Sequence, residues 1–394
     1  MKEAKDMKEG WEYKKLGEVV EIIGGSTPKT DIPEYWEGDN YWVTPAELDG
    51  SKYIEKTQRA ITQKAIEKTN LSLLPIGTVL LSSRAPIGKL SITKSPMYCN
   101  QGFKNIVCGE SLYNEFVYYY LKNNVDYLQS LGTGATFKEI SKKVVEKIEI
   151  PVPSITEQKQ IVSELDLLSE VIEKQKAQLA ELDKLAQSIF YDMFGNPVTN
   201  EKGWNISPLE NIVADNCTIS YGIVQPGEEV EDGIPVVRPV DMVNSIVYKK
   251  GLKVIDKSIS DSYKRTLLEG GELLFCVRGT TGIMSFAADE LKGCNVTRGI
   301  TPLSFNNNTN KYYVYYFLST SFMKAIIAER TRGITLKQIN MKDVRLLPIY
   351  CPPLSLQQEF AAKVEAIEAM KAKVRLSLKE TETLFNSRMD YYFN

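Results

Sequence analysis

Residues 77–88 read Gly77-Thr-Val-Leu-Leu-Ser-Ser-Arg-Ala-Pro-Ile-Gly88, and residues 271–282 read Gly271-Glu-Leu-Leu-Phe-Cys-Val-Arg-Gly-Thr-Thr-Gly282. Gly77, Leu80, Arg84 and Gly88 match Gly271, Leu274, Arg278 and Gly282 at a single offset of 194. Upstream, Gly10-Trp11 with Leu16 matches Gly203-Trp204 with Leu209, and Val43-Thr44-Pro45 matches Val237-Arg238-Pro239. Downstream, Val117-Tyr-Tyr-Tyr-Leu121 matches Val314-Tyr-Tyr-Phe-Leu318, and Gly134-Ala-Thr136-Phe-Lys138-Glu-Ile140 matches Gly333-Ile-Thr335-Leu-Lys337-Gln-Ile339. The order never changes while the offset drifts by a few residues, as loop insertions produce. The chain is therefore read as a duplication.

Each copy has a globular part and a helical part. In the globular parts, Thr78–Ser82 and Glu272–Val277 are apolar runs that predict buried strands. Gly24–Pro28, Ala85–Gly88 and Gly279–Gly282 predict exposed loops. Ser154-Ile-Thr-Glu157 is a capping box, in which the serine accepts a free backbone N–H and the glutamate returns the bond. Ser355-Leu-Gln-Gln358 predicts the same device in the second copy, and Phe194-Gly195-Asn196-Pro197 predicts the end of the first helix.

Both helical segments carry a heptad seam. Ile161, Leu165, Leu168, Ile172, Gln175, Leu179, Leu182, Ala186, Ile189 and Met193 alternate steps of four and three. So do Phe360, Val364, Ile367, Lys371, Val374, Leu378, Thr381, Phe385, Arg388 and Tyr392. That spacing suits knobs-into-holes packing. Two such helices most simply pair with each other, antiparallel if a globular domain sits at each end. The expected fold is α+β: two tandem α/β domains separated by two long helices that form an antiparallel coiled coil. The boundaries are 1–153 for the first globular domain, 154–197 for the first helical region, 198–352 for the second domain and 353–394 for the second helical region.

At 394 residues, with 43% apolar and 25% charged side chains, the chain can bury real cores. No apolar run is long enough for a membrane span, and the first ten residues lack an apolar signal core. Six cysteines without any C-x-x-C read as reduced thiols in a cytoplasmic protein. The chain has no histidine, which excludes histidine-based triads, dyads and metal sites. It holds no phosphate loop with its lysine, no G-x-G-x-x-G dinucleotide loop and no amino-methyltransferase tetrad, so no catalytic or metal site is expected. The acidic run Glu228–Asp232 is read as a solvated loop.

What remains is two sets of matching loops rich in Arg, Lys, Asn, Gln, Thr and Gly. The candidates in the first copy are Ser26, Thr27, Lys29, Arg84, Lys89, Asn100, Gln101, Lys104, Thr136 and Lys138. In the second they are Arg238, Arg278, Thr280, Thr281, Arg298, Arg332, Thr335 and Lys337. Arginine, asparagine and glutamine make paired hydrogen bonds to base edges, while lysine and hydroxyl side chains hold phosphates. The plain alternative for any one of them is ordinary loop polarity, and for Arg84 and Arg278 a surface ion pair. Net charge is only −2. Residues 1–153 hold 20 basic and 20 acidic side chains, and 198–352 hold 18 and 16, so DNA binding calls for a partner that supplies further phosphate contacts.

These motifs resemble the specificity (S) subunit of Type I restriction–modification enzymes. The resemblance rests on Gly24–Pro28, Leu74-Pro75 with Gly77–Leu80, Ser83-Arg84 with Ile87-Gly88, Asn100–Phe103, Gly134–Thr136 with Ile140-Ser141, Ile150–Pro153, and Glu157-Gln158 with Ile161. The second copy departs from it: Cys294–Gly299 replaces the Asn-Gln-Gly-Phe run, and Leu356-Gln357 replaces Glu157-Gln158. The resemblance implies two target recognition domains, each reading half of a bipartite site in double-stranded DNA. The helices would space them and dock two modification (M) subunits. S-adenosylmethionine would sit on M, and ATP and Mg on restriction (R) subunits, with no cofactor on this chain. The competing reading is a two-headed coiled-coil adaptor that binds proteins.

Overall fold

The computed structural model describes residues 10–84, 86–134, 138–334 and 336–394. The run at 79–81 is a strand because β-branched and leucine side chains bury on both faces: Val79, Leu80 and Leu81 are all fully buried. It is the middle strand of a five-stranded sheet ordered Val20–Gly24, Lys104–Cys108, Val79–Leu81, Leu90–Thr93, Tyr53–Ile54. All neighbours are antiparallel except the last pair. A three-stranded sheet, Ala60–Ile61, Trp36–Val43 and Tyr98–Cys99, completes the β-structure that carries the loops.

The second copy repeats this plan. Leu273–Cys276 lies between Met284–Ala287 and Ile300–Leu303, with Ile246–Val247 at the edge and parallel to Met284–Ala287. Its companion sheet is Lys253–Ile255, Ile234–Val237 and Asn295–Val296. In each copy a short antiparallel pair joins the ends of the globular segment: Glu12–Lys15 with Glu149–Val152, and Ile206–Pro208 with Pro348–Tyr350.

The long helices run Ile155–Phe194 and Leu354–Phe393. The first starts with the serine half of the expected box, Ser154 Oγ accepting the Glu157 N–H at 3.3 Å, and stops at Gly195, whose φ of +78° favours glycine. Glu157 accepts the Trp11 indole N–H at 2.9 Å, which ties the helix to its globular domain. The second start differs from expectation. Leu354 is already helical, so Ser355 lies inside the first turn and Pro353 takes the place of Ser154. Proline supplies no side-chain oxygen, and the turn closes on its carbonyl, which the Leu356 and Gln357 N–H groups reach at 3.0 and 3.2 Å.

The chain forms two compact units, 1–176 with 376–394 and 177–375, so each contains half of each long helix. In the first unit, Glu164 pairs with Arg388 and Gln175 with Ser377, which makes the two halves antiparallel. Ile161, Leu165, Met389 and Phe393 enter the same core as Phe116 and Tyr120. In the second unit, Asp183 pairs with Lys371 at 2.6 Å, and Phe190 and Phe194 pack on Phe360. The helix halves thus serve both as a mutual pair and as part of a domain core. Two matched glutamines fasten each globular domain to a helix start. Buried Gln158 accepts from Tyr113 N–H at 2.8 Å and donates to Ser111 and Pro153 carbonyls. Gln357 does the same with Asn310 N–H at 2.8 Å and the Asn308 and Pro352 carbonyls.

Candidate nucleic-acid interface

Backbone hydrogen bonds gather the candidate loops of each copy. In the first, Ser26 N–H bonds Cys99 C=O at 3.0 Å, Ser83 N–H bonds Gly102 C=O at 2.7 Å, and Ile140 N–H bonds Ser83 C=O at 2.9 Å. In the second, Ile223 bonds Val296 at 2.9 Å, Val277 bonds Gly299 at 2.7 Å, and Ile339 bonds Val277 at 3.0 Å. The same three ties, at equivalent positions, bring four loops together in each copy. They demand glycine where chains nearly touch. A Cβ on Gly25 would stand 2.2 Å from the Asn100 carbonyl oxygen, and one on Gly222 would stand 2.2 Å from that of Val296.

This frame aligns the side chains position by position. Arg84 pairs with Glu139 through a backbone β-bridge in the first copy, as Arg278 pairs with Gln338 in the second. Gln101 stands where Arg298 stands, Lys104 where Thr301 stands, and Gly24 where Tyr221 stands. The sequence-level gap at Cys294–Gly299 is therefore a change of side chains on one conserved loop.

The electrostatics of the two clusters differ. Arg84 Nε donates to Glu139 at 3.0 Å, and Lys104 Nζ lies 3.3 Å from the other carboxylate oxygen. Burial works against the charge on Glu139, but the hydrogen bonds from Arg84 and Lys104 outweigh it and hold the carboxyl below its usual range. In the second copy, Gln338 Nε2 donates to the Tyr221 hydroxyl at 3.1 Å, and the Arg298 guanidinium lies 5.8 Å from the centre of the Tyr221 ring. Arg278 faces no carboxylate partner among the described residues.

The remaining candidates divide into exposed groups and groups engaged in structure. Lys29, Gln101, Lys138, Thr280, Arg332 and Lys337 are exposed. Thr27 donates to Gln101, and Ser26 and Lys29 offer their carbonyls to the indoles of Trp42 and Trp36, both at 3.2 Å. Asn100 Oδ1 caps Gly102 N–H at 2.9 Å. Lys89 is half-buried, with its ammonium on the Pro45 and Leu48 carbonyls at 3.0 and 2.9 Å, so it pins a loop. Arg238 grips Asp241 through Nε and Nη2, at 3.1 and 2.9 Å. Thr281 shares a hydrogen bond with Thr331 at 3.0 Å. Thr136 and Thr335 lie outside the described residues.

Sequence reasoning missed Glu139, Gln338 and Tyr221. Glu139 and Gln338 sat inside the aligned motif, one residue before the matched isoleucines, and the Glu/Gln difference was the available signal. Nothing flagged Tyr221. Among the described residues no helix is long and apolar enough to cross a membrane.

A family model for the Type I restriction modification DNA specificity domain matches the chain twice, over residues 8–184 and 185–379. The Type I restriction enzyme MjaIX specificity subunit of Methanocaldococcus jannaschii is 31% identical, over 91% of this chain and 86% of its own length. The EcoKI specificity subunit of Escherichia coli K12 is 23% identical, over 92% of this chain and 82% of its own length. Among solved structures, the Type I restriction–modification S subunit from M. genitalium aligns with a TM-score of 0.58 at 14% identity, over 100% of this chain and 98% of that one. A chain from a study of complex assembly and conformational transition of the type I R-M system aligns with a TM-score of 0.60 at 18% identity, covering 99% of both. The chain belongs to the family of Type I restriction–modification specificity subunits, the non-catalytic DNA-recognition subunits of those enzymes.

Proposed function

We propose that each globular copy reads one half of a bipartite site in double-stranded DNA, and that the helices set the distance between the halves. The target recognition domains are 1–153 and 198–352, and the helical regions are 154–197 and 353–394. The observation that carries this reading is the pair of loop clusters: one backbone frame, tied by the same hydrogen bonds, presents different side chains in the two copies. A frame kept constant while its polar tips vary suits a reader of two different base sequences. Base and phosphate contacts come from the exposed and half-exposed candidates, chiefly Arg84 and Lys138 in the first copy and Arg278, Arg298, Arg332 and Lys337 in the second.

In the cytoplasm the chain works with two M subunits and with R subunits. S-adenosylmethionine is held by M, and ATP and Mg by R. M docks along the helices, where Glu170, Glu173 and Glu181 are exposed. The test is selection of bound duplexes from a random library by the S–M complex. Two short specified stretches separated by an unspecified spacer support the reading. One contiguous site, or no sequence preference, refutes it.

A further inference from the structure

The position shared by Glu139 and Gln338 stands out in the whole molecule. It is a point where a carboxylate in one cluster becomes an amide in the other while the backbones agree. In both copies the residue bridges the matched arginine and precedes the isoleucine that anchors the loop. The surrounding changes are coordinated. Where the first copy has Glu139 it also has Lys104, whose ammonium meets the carboxylate. Where the second has neutral Gln338, the lysine's place is taken by Thr301, and a tyrosine hydroxyl receives the amide instead. A carboxylate and its lysine have been exchanged together for an amide and an uncharged neighbour. Random drift of surface charge does not call for that coordination.

The two side chains offer different hydrogen-bonding patterns. A carboxylate only accepts, whereas an amide accepts and donates. Arg84 and Lys104 each engage one oxygen of Glu139, which fixes the carboxylate plane and leaves a lone pair on each oxygen for a ligand. An acceptor-only group in the major groove favours cytosine, whose N4 amine stands without an adjacent ring acceptor. Adenine sets its N7 acceptor beside its amine, and guanine and thymine present carbonyl oxygens. Gln338 spends one N–H on Tyr221 and keeps its second N–H and its carbonyl oxygen. Those two groups match adenine N7 and N6.

We propose that this matched position determines one base of each half-site, Glu139 selecting cytosine and Gln338 selecting adenine. The assignment rests on the DNA-reading function proposed above. Arg84 and Lys104 act on the first copy as positioning residues for Glu139, and Tyr221 does so for Gln338.

The experiment is selection of bound duplexes by the S–M complex carrying wild-type S, Glu139→Gln, Lys104→Thr/Glu139→Gln or Gln338→Glu. The double variant installs the second copy's pair and keeps the local charge balanced, so it carries the test if the single variant misfolds. One position of one half-site should change from cytosine to adenine with both first-copy variants, by about tenfold or more in relative affinity. The other half-site should stay intact. Gln338→Glu should produce the reverse change, in the other half-site. Two results overturn the proposal: base preferences that stay put in all variants, or an affinity that rises alike for every sequence, which is the signature of lost repulsion alone. A wild-type complex that selects no sequence refutes the DNA-reading assignment itself, independently of the variants.

Discussion

The cluster around Arg84 and the cluster around Arg278 share a backbone but not an electrostatic state. Arg84 and Lys104 converge on one carboxylate, so the first copy presents a partly neutralised network. In the second, neutral Gln338 donates to Tyr221, Arg298 lies near the Tyr221 ring, and Arg278 has no carboxylate partner among the described residues. The difference shows how a duplicated scaffold diversifies. The hydrogen bonds that hold the loops are made by main-chain groups and cost nothing when side chains change. The tips are then free to exchange charge for polarity.

The helix ends allow the sharpest break between the copies. Phe194 and Phe393 are the last residues of the two long helices, and each is buried in a different unit. Phe194 packs 4.7 Å from the Tyr313 ring, and Phe393 packs 5.3 Å from that of Phe116. Phe194→Ala should destabilise the second unit by about 3–5 kcal/mol, and Phe393→Ala should do the same to the first. Hydrogen exchange by mass spectrometry should show loss of protection in one unit at a time. Equal loss in both units for either variant would mean that the cores do not divide at the helix ends.

Next in size is the arginine comparison. Arg278→Ala should weaken binding of the S–M complex to its site by about 1–3 kcal/mol, with the effect confined to one half-site. Arg84→Ala should cost less, because that guanidinium is already shared with Glu139. Affinities at one moderate salt concentration, measured on sites mutated in either half, decide this. Equal losses would show that the Glu139 pair opens freely when DNA arrives.

A smaller effect is expected in the helix seam. Lys371 lies where the first unit has Ile172, and it is buried against Glu368 and Asp183, both at 2.6 Å. Asp183 is largely exposed, so removing the lysine leaves that carboxylate in water. Lys371→Ile should therefore stabilise the second unit by about 1 kcal/mol in chemical denaturation. A loss of several kcal/mol would mean that the ion pairs are integral to the seam.

The smallest is a pH effect limited to one copy. The carboxyl of Glu139 is depressed in the folded protein, so its stabilisation is present above the ordinary carboxylate pKa and fades as pH falls through the folded value. Glu139 is about a third exposed, so solvent screening keeps the effect below about 1 kcal/mol. The stability gap between wild type and Glu139→Gln should close on acidification. Gln338→Ala should show no such dependence. A gap that persists at low pH would assign it to packing.

Much of this architecture was legible because it is written twice. Gly77–Gly88 and Gly271–Gly282 keep their spacing, since strand, turn and strand fix it, and the seam from Ile161 to Met193 survives because a heptad has little freedom. The cap position of the second helix lies two residues before the expected cap at Ser355: proline at 353 starts a helix without a side-chain acceptor, so the serine that resembles a cap is interior. The site was less legible. Lys89 and Arg238 carry the same residue types as base and phosphate contacts, yet they hold a carbonyl pair and Asp241 respectively. Only the folded loops distinguish a lysine that pins a turn from one that faces solvent. Tyr221 was invisible because its counterpart is Gly24, and a gain of side chain leaves no shared motif.

The proposed function requires two independent readers held at a distance set by the helices. Inserting matched heptads near Gln175 and Val374 puts that requirement to a test, because a heptad keeps the seam in register while adding about 10 Å of helix. At about 3.4 Å per base pair, selection by the S–M complex should return the same two half-sites with a spacer longer by roughly three base pairs. An unchanged spacer, or altered half-sites, would contradict the claim and reduce the helices to a tether.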